Sequence, residues 1–197
     1  MGRYLTDQQF ADIAKDVSIY RIGSENLEDL SAYSFDCGKA LEYKTFLLTQ
    51  AKPLDDLAIS KTFIMIHNTT DELIGYFTLS ADTIKLTTSE KEQANLDNVS
   101  FMSLPAIKVG KLAINKGLSK QAKRKGYGSF AIEMAISKAY EILKTGVACR
   151  FITVDADIEY DSNTPSFYEK NGFVRNLSIK PKQEQTTISM RKDIFDE

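Results

Sequence analysis

The chain has 197 residues, of which 43% are hydrophobic and 26% charged, and its formal net charge is −2. This length predicts one domain over residues 1–197 with a substantial core, and the mixed composition excludes fibrous and low-complexity chains. No apolar run has membrane-spanning length, and two cysteines are too few for a disulfide scaffold or a metal cluster. We therefore expect a reduced, cytoplasmic protein without a metal site.

The first half of the chain predicts short helices and a set of strands. Residues 4–16 are expected to form a helical extension at the N-terminus, and residues 40–49 a second helix. Ser24 suits the N-cap of a further helix that runs through Leu30. Residues 87–103 are polar and turn-rich, which predicts a long loop. Strands are predicted over residues 17–22, 61–67 and 73–81.

The stretch from Ile107 to Lys144 combines a strand, a basic loop and a helix. Apolar and partly β-branched residues predict the strand over 107–114, and apolar residues at three- and four-residue spacing predict an amphipathic helix from Phe130 to Leu143. Gly126-Tyr127-Gly128 opens that helix. The first N–H groups of a helix lack intrahelical partners, and glycine lets a ligand approach the backbone closely. The pattern therefore favours an anion, such as a phosphate, at the helix start.

Charge supports an anion site at this point. Between residues 108 and 125 there is no acidic residue, whereas seven residues are basic: Lys108, Lys111, Lys116, Lys120, Lys123, Arg124 and Lys125. A lysine-rich run by itself is typical of a solvated surface loop. Because this one precedes a glycine turn and a helix start, we favour phosphate binding.

Two nucleotide-binding motifs can be weighed against this stretch. A Walker loop is excluded, since Gly128 is followed by Ser129-Phe130 and not by Lys-Ser/Thr. Gly126 to Ala131 fits the looser dinucleotide pattern G-x-G-x-x-A. In that motif, however, the glycines follow the strand directly, and here a long loop intervenes. A nicotinamide-dependent enzyme is therefore only a minor alternative.

The C-terminal part of the chain predicts one more strand, a short helix and a closing pair of strands. The strand is expected over residues 150–154 and the helix over residues 165–171. The closing strands are expected over residues 173–177 and 186–191.

Two motifs resemble those of the GNAT-superfamily N-acetyltransferases. Leu112-Ala113-Ile114, followed by Lys123-Arg124-Lys125-Gly126-Tyr127-Gly128, is similar to that family's acetyl-CoA motif, a strand reading L-A-V/I and then Q/R-x-x-G-x-G/A. The segment 167–173 (FYEKNGF) is similar to its Y-E-K-x-G-F signature. The resemblance covers roughly the C-terminal half, and it departs from the family in Lys123 and in a longer loop after Ile114. It implies an α/β (α+β) fold with a mixed, mostly antiparallel central sheet flanked by helices.

The resemblance also implies a cofactor and a set of site residues. The cofactor is acetyl-CoA, and Tyr168 is the catalytic residue that protonates the departing thiolate, since a phenol with a pKa of about 10 carries its proton at pH 7. The main-chain N–H near Ile114 stabilises the oxyanion. Asn163 contacts the CoA arm, or else it simply precedes the helix that Pro165 opens. The implied cofactor-binding residues are Leu112, Ala113, Ile114, Lys123, Arg124, Lys125, Gly126, Tyr127, Gly128, Ser129 and Asn163.

No general base stands out from the sequence. The strand 107–114 carries no carboxylate, and Asp155 and Asp157 are the nearest acidic residues. The acidic run around them is not a calcium loop, because Tyr160 stands where such a loop needs glycine and Ser166 where it needs the closing glutamate. The single histidine, His67, is expected to be structural.

A further resemblance concerns the acceptor. Phe35-Asp36-Cys37-Gly38 and the strand residues 109–114 are similar to elements of GNAT toxins from toxin–antitoxin pairs, with Lys111 in place of an arginine. This implies charged tRNA as acceptor and a cognate antitoxin as partner. An α-amine with a pKa near 7.7–8.0 is partly neutral without a base, whereas a pI of about 5.6 is low for a tRNA binder. Cys37 as a nucleophile has no histidine motif to support it.

Other functions stay open from the sequence alone. A small-molecule or protein amine could serve as the acceptor, and a non-catalytic CoA- or nucleotide-binding module is the main non-enzymatic alternative. The sequence predicts no membrane partner and is compatible with a homodimer.

Overall fold

The structure, a computed structural model, describes residues 4–23, 29–178 and 185–196. The helices are α1 Asp7–Asp16, α2 Leu41–Thr49, α3 Ala51–Asp56, α4 Thr88–Gln93, α5 Tyr127–Lys144 and α6 Thr164–Lys170. The strands are β1 Val17–Arg21, β2 Lys61–His67, β3 Leu73–Ile84, β4 Leu104–Ile114, β5 Phe151–Asp157, β6 Val174–Arg175 and β7 Thr187–Asp193. A 3-10 turn spans Leu30–Ala32.

The strands form one seven-stranded sheet in the order β1-β2-β3-β4-β5-β7-β6. The pairs β1/β2, β2/β3, β5/β7 and β6/β7 are antiparallel. The pair β4/β5 is parallel, with Ala106–Val109 opposite Phe151–Val154. This confirms the predicted mixed, mostly antiparallel sheet.

Contacts divide the chain into two compact units. One unit consists of Leu5–Ser80 and Gly110–Ala135 and is called the loop unit, because it contains the loop between β4 and α5. The other consists of Ala81–Val109 and the chain from Ile136 onward, together with Tyr4, and is called the tyrosine unit, because it contains Tyr168.

The loop unit is built on an aromatic core and on a well-capped first helix. Thr6 and Gln9 form a capping box at the start of α1, which satisfies N–H groups that a helix end otherwise leaves unpaired. Tyr76 is fully buried, its hydroxyl donates to the Tyr43 carbonyl oxygen at 2.8 Å, and its ring stacks on Phe46. The start of β3 is therefore held against α2 by both packing and a hydrogen bond.

The tyrosine unit contains a buried ion pair that links α4 to β7. Arg191 Nη1 lies 2.6 Å from Glu90 Oε1, and both side chains are buried. Glu90 also accepts hydrogen bonds from the backbone N–H groups of Thr87 and Leu177. Burial opposes the charged carboxylate, but these hydrogen bonds and Arg191 outweigh burial and lower the pKa of Glu90.

Two parts of the secondary-structure prediction were wrong. The predicted loop 87–103 contains α4, which the capping box between Thr87 and Glu90 begins. The helix α3, which has only six residues, was not predicted. It is held in place by Asp55, whose carboxylate accepts a hydrogen bond from Arg21 on β1. The Thr87–Glu90 capping box is a local pattern that indicates a helix start, whereas α3 depends on a bond to Arg21, which is distant in the chain. The helix predicted from Ser24 begins outside the described residues.

The remaining predicted elements agree with the structure to within a few residues at each end. Among the described residues, no helix combines the length and apolar character needed to span a membrane. In the same part of the chain, no group of three or more His, Cys, Asp or Glu side chains is arranged to hold a metal ion.

Candidate active site

Asn115, which follows the last residue of β4, ties three segments of the loop unit together. Its side-chain oxygen Oδ1 accepts hydrogen bonds from the backbone N–H groups of Asp36 (3.0 Å) and Gly117 (2.9 Å). Its Nδ2 donates to the carbonyl oxygens of Ser34 (2.9 Å) and Leu73 (2.8 Å). The end of β4 and the start of the loop are thereby fixed to β3 and to the segment that contains Phe35-Asp36-Cys37-Gly38.

That four-residue segment is itself a tight turn against the loop. Asp36 Oδ1 accepts from the Gly38 N–H at 2.7 Å, and the Asp36 carbonyl oxygen accepts from the Lys116 N–H at 2.8 Å. Gly38 has φ +64°, and a Cβ on it would lie 2.9 Å from Lys116 Nζ. The left-handed backbone conformation therefore favours glycine, whereas the flexible side chain of the exposed Lys116 could move aside for a Cβ.

Cys37, in the middle of this turn, is buried. Burial raises the pKa of its thiol, and Asp36 adds to the shift. A nucleophilic cysteine needs a lowered pKa. The burial of Cys37 and the raised pKa of its thiol therefore favour a packing role.

The loop between β4 and α5 is anchored at two further points. The backbone N–H and the hydroxyl of Ser119 donate to the Glu72 carboxylate at 2.8 and 2.6 Å, and these bonds lower the pKa of Glu72. The Tyr127 hydroxyl donates to the Ala122 carbonyl oxygen at 2.7 Å. These bonds give the loop a defined path.

The basic residues of the loop differ in their partners. Arg124 Nη1 lies 3.0 Å from Asp16 Oδ2, so this guanidinium is engaged with the end of α1. In contrast, no carboxylate among the described residues pairs with the exposed lysines Lys116, Lys120, Lys123 and Lys125. These four ammonium groups form the cationic surface of the loop, and Lys123 and Lys125 are two of the residues that the motif predicts as cofactor ligands.

The helix α5 begins at the predicted glycine turn. The Gly126 carbonyl oxygen accepts from the Phe130 N–H at 2.8 Å, which leaves the N–H groups of residues 127–129 without intrahelical acceptors. The side chains of Tyr127 and Ser129 are buried. These two predicted ligands can therefore reach an anion through their backbone N–H groups but not through their side chains.

The structure revises the reason for glycine at position 126. Its φ is +101°, and a Cβ there would lie 3.0 Å from Leu5 Cδ2 and 3.2 Å from Ile13 Cδ1. A Cβ there would make unusually tight contacts, so Leu5 and Ile13 would have to shift by a few tenths of an ångström. Close packing near α1 thus favours glycine at this position, in addition to the ligand approach that the sequence predicts.

Tyr168, in the tyrosine unit, is 7% exposed and lies in α6. Its ring contacts Phe167 and Phe173 edge-on, with centroid distances of 5.0 and 5.4 Å. Burial raises the pKa of its phenol above the usual value, and the negative charge of Asp157 acts in the same direction. Among the described residues none forms a hydrogen bond with the Tyr168 hydroxyl, so the hydroxyl is both protonated at neutral pH and able to donate to a ligand.

The remaining predicted residues have plain structural surroundings. Asn163 is the residue before α6, with its exposed side chain making no capping hydrogen bond. Asp155 is paired with Lys108 on the neighbouring strand. The Nδ1 atom of the buried His67 accepts from the Thr70 N–H at 3.3 Å, which agrees with a structural role.

Sequence reasoning missed the residues that hold the site in shape. Asn115 and Ser119 were not singled out, because an asparagine or a serine in a loop is common and only the partners in space distinguish these two. Leu112, Ala113 and Ile114, by contrast, lie on β4 as predicted.

The chain has the GNAT-like fold of its structural neighbours. No family model and no curated protein matches the sequence, but several solved structures share the fold. A tyrosine-to-phenylalanine mutant of KacT is 21% identical, with a TM-score of 0.66 over 88% of this chain and 94% of that one. AtaTR bound with AcCoA is 20% identical, with a TM-score of 0.63 over 89% and 93% of the two chains.

A third similar structure is AtaT complexed with acetyl-methionyl-tRNAfMet, at 20% identity and a TM-score of 0.64 over 88% of this chain and 94% of that one. The AtaT toxin also occurs in a structure bound to the C-terminus of the antitoxin AtaR. At such identities the similarity establishes the fold, and the chemistry has to be argued from the residues.

Proposed function

We propose that the chain is an acetyl-CoA-dependent N-acetyltransferase of the toxin type, whose acceptor is the α-amine of an aminoacyl-tRNA. The observation that carries the proposal is the loop between β4 and α5, which hydrogen bonds anchor and which presents, ahead of a helix start, four lysines without a carboxylate partner among the described residues. In addition, the turn Phe35–Gly38 is bonded directly to the end of β4 through Asn115. The turn and the end of β4, whose resemblance to GNAT toxins suggested this acceptor, are therefore joined by hydrogen bonds within one unit.

The residues of the loop unit fit the phosphate groups of coenzyme A. The N–H groups at the start of α5 and the positive end of its dipole favour an anion. Lys123 and Lys125 are exposed and have no carboxylate partner among the described residues, so binding a phosphate breaks no ion pair. Arg124 would have to leave Asp16 to do the same, and we assign it a structural role.

Acetyl-CoA, when bound, supplies the acetyl group as a thioester, which the amine attacks as the C–S bond breaks. The protein residues then have to stabilise charge and move protons. We assign to Tyr168 the proton that the sulfur gains, because its hydroxyl has no partner among the described residues and its raised pKa keeps it protonated. An α-amine is partly neutral at pH 7, so it can attack without a base that first deprotonates it. The proton that the nitrogen loses after the attack passes to solvent.

The carboxylates of the tyrosine unit support an acceptor that needs no strong base. The carboxylate of Asp155 forms an ion pair with the ammonium group of Lys108. Asp157 accepts a hydrogen bond from the Glu159 N–H at 2.9 Å and holds the Tyr168 proton in place through its charge. An amine with a low pKa, such as that of an aminoacyl ester, suits this arrangement better than a lysine side chain with a pKa of about 10.4.

The experiment is a transfer assay with radiolabelled acetyl-CoA. Charged tRNA, free amino acids, polyamines and lysine peptides are offered separately as acceptors. We expect label on the aminoacyl group of the tRNA, and growth arrest when the protein is expressed. Tyr168→Phe should lower kcat by roughly 10²–10⁴-fold with little change in acetyl-CoA affinity, and should relieve the arrest.

The same assay distinguishes the alternatives. The overall charge of −2 favours a less anionic acceptor, and label on a small amine or peptide alone would replace the tRNA assignment with an ordinary amine acetyltransferase. Binding of acetyl-CoA without transfer to any acceptor would indicate a binding module. A cognate antitoxin, which AtaT has in AtaR, should prevent the growth arrest when it is coexpressed.

A further inference from the structure

Lys111, on β4 just ahead of Leu112–Ile114, has unusual surroundings for a lysine. Its side chain is half-buried, and its ammonium nitrogen lies 4.6 Å from the ring centroid of Tyr43 and 5.3 Å from that of Phe46, both on α2. The positive charge therefore rests on the faces of two aromatic rings.

No carboxylate among the described residues pairs with Lys111. Two of the other partly or fully buried cations do have one, whereas the half-buried Lys91 donates to the carbonyl oxygens of Val99 and Phe101. Arg150 lies 2.7 Å from Asp193, and Arg191 lies 2.6 Å from Glu90. An ammonium group has three N–H donors. A carboxylate would accept hydrogen bonds from them, whereas the ring faces attract the positive charge without accepting such bonds. The Lys111 ammonium thus has donors available for an anion from outside the chain.

The position of Lys111 is fixed by its backbone. Its N–H donates to the Thr78 side-chain oxygen Oγ1 at 2.9 Å, in place of a carbonyl oxygen. A Cβ at Gly110 would lie 3.0 Å from the same oxygen, so glycine permits this contact. With backbone and side chain both held, little conformational entropy is lost when a ligand binds.

We infer that Lys111 binds a phosphate of the acceptor, namely the phosphodiester next to the aminoacylated end of the tRNA. This inference rests on the proposed function. Lys111 precedes Ile114 by three residues, about 10 Å of strand, whereas Lys123 and Lys125, which are proposed for the cofactor phosphates, lie beyond the end of β4. Lysine contacts phosphate as a point charge and needs no paired geometry.

The test compares two acceptors that share the same α-amine. One is charged tRNA, and the other is the methyl ester of the same amino acid, which has no phosphate. Lys111→Met keeps the length of the side chain and its packing on the rings but removes the charge, whereas Lys111→Arg keeps the charge. Lys15→Met, on the exposed face of α1 in the same unit, is the control for the change in net charge.

We expect Lys111→Met to raise the KM for charged tRNA about tenfold or more. It should also reduce the slope of log kcat/KM against log salt by about one. The KM for acetyl-CoA and the rate with the methyl ester should stay within about twofold of the wild type. Lys111→Arg should retain most of the tRNA activity, and Lys15→Met should behave as the wild type.

Three results would overturn the inference. Equal losses with tRNA and with the ester would mean that Lys111 only supports the packing of α2. A raised KM for acetyl-CoA would place the lysine among the cofactor contacts, and an unchanged salt slope would exclude a phosphate contact. If the wild type does not acetylate charged tRNA at all, the proposed function itself fails. If instead Lys111→Met acetylates charged tRNA as well as the wild type does, only the role of Lys111 is refuted.

Discussion

Replacing Asn115 by alanine removes a single side chain that joins three segments at the end of β4. The substitution deletes hydrogen bonds to Ser34, Asp36, Leu73 and Gly117, all between 2.8 and 3.0 Å. The backbone groups left behind lose their partners, and the turn Phe35–Gly38 loses most of its attachment to the strand.

The expected cost follows from where these partners lie. A neutral hydrogen bond contributes about 0.5–1.5 kcal/mol net, so four bonds set a range of roughly 2–6 kcal/mol. Ser34, Asp36 and Gly117 are exposed, and water can replace the lost side chain there. Only the bond to the Leu73 carbonyl oxygen is buried. We therefore expect about 2–3 kcal/mol, near the lower end of the range.

Urea unfolding followed by circular dichroism measures this cost, with Asn68→Ala as the matched control. Asn68 is exposed, and its side chain makes one bond to Ser18 and one to Lys15, so its replacement should cost less than about 1 kcal/mol. The same Asn115→Ala protein should also transfer acetyl groups more slowly, because the main-chain N–H at the end of β4 is the proposed oxyanion donor and is no longer held in place.

Two results would refute this reasoning. If Asn115→Ala loses no more stability than Asn68→Ala, the four bonds are not what holds the turn to the strand. If stability falls as expected but kcat and KM stay unchanged, then the end of β4 keeps its geometry without the asparagine, and the proposed positioning role is wrong.

Two further predictions concern residues on which the fold depends. Glu90→Gln should lower the free energy of unfolding by about 3–5 kcal/mol, because it leaves Arg191 buried without its carboxylate, whereas Glu141→Gln, in an exposed pair with Lys138, should cost less than about 1 kcal/mol. Because the pKa of Glu90 is lowered on folding, its contribution is complete above the ordinary glutamate pKa and is lost as the pH falls through the lowered value. The difference between Glu90→Gln and wild type in urea unfolding should therefore shrink in acid, and a difference independent of pH would contradict the assignment. Gly126→Ala and Gly146→Ala both place a Cβ on a backbone with positive φ, at +101° and +88°, but the new methyl group at 146 would meet no atom within 4 Å, whereas that at 126 would meet Leu5 and Ile13. Gly126→Ala should thus cost about 1–3 kcal/mol more than Gly146→Ala in thermal unfolding, and equal costs would show that α1 does not restrict this position.

Much of the architecture follows from patterns within short stretches of sequence. The strand β4 and the helix α5 were predicted because apolar residues repeat at strand and helix spacing on the two sides of Gly126-Tyr127-Gly128. The helix α6 was predicted from Pro165 and its following residues, and it contains Tyr168 as expected. Such features depend on backbone preferences and local burial, which neighbouring residues largely determine.

Only the tertiary structure decided which polar residues have partners. The sequence shows seven basic residues between 108 and 125 as one run, whereas in the folded chain Arg124 is bonded to Asp16, Lys108 to Asp155, and Lys111 rests on aromatic rings. Asn115 bonds to residues as far away in the chain as Ser34. Hydrogen bonds and ion pairs act over a few ångströms in space and without regard to distance along the chain, so their partners become known only when the chain is folded.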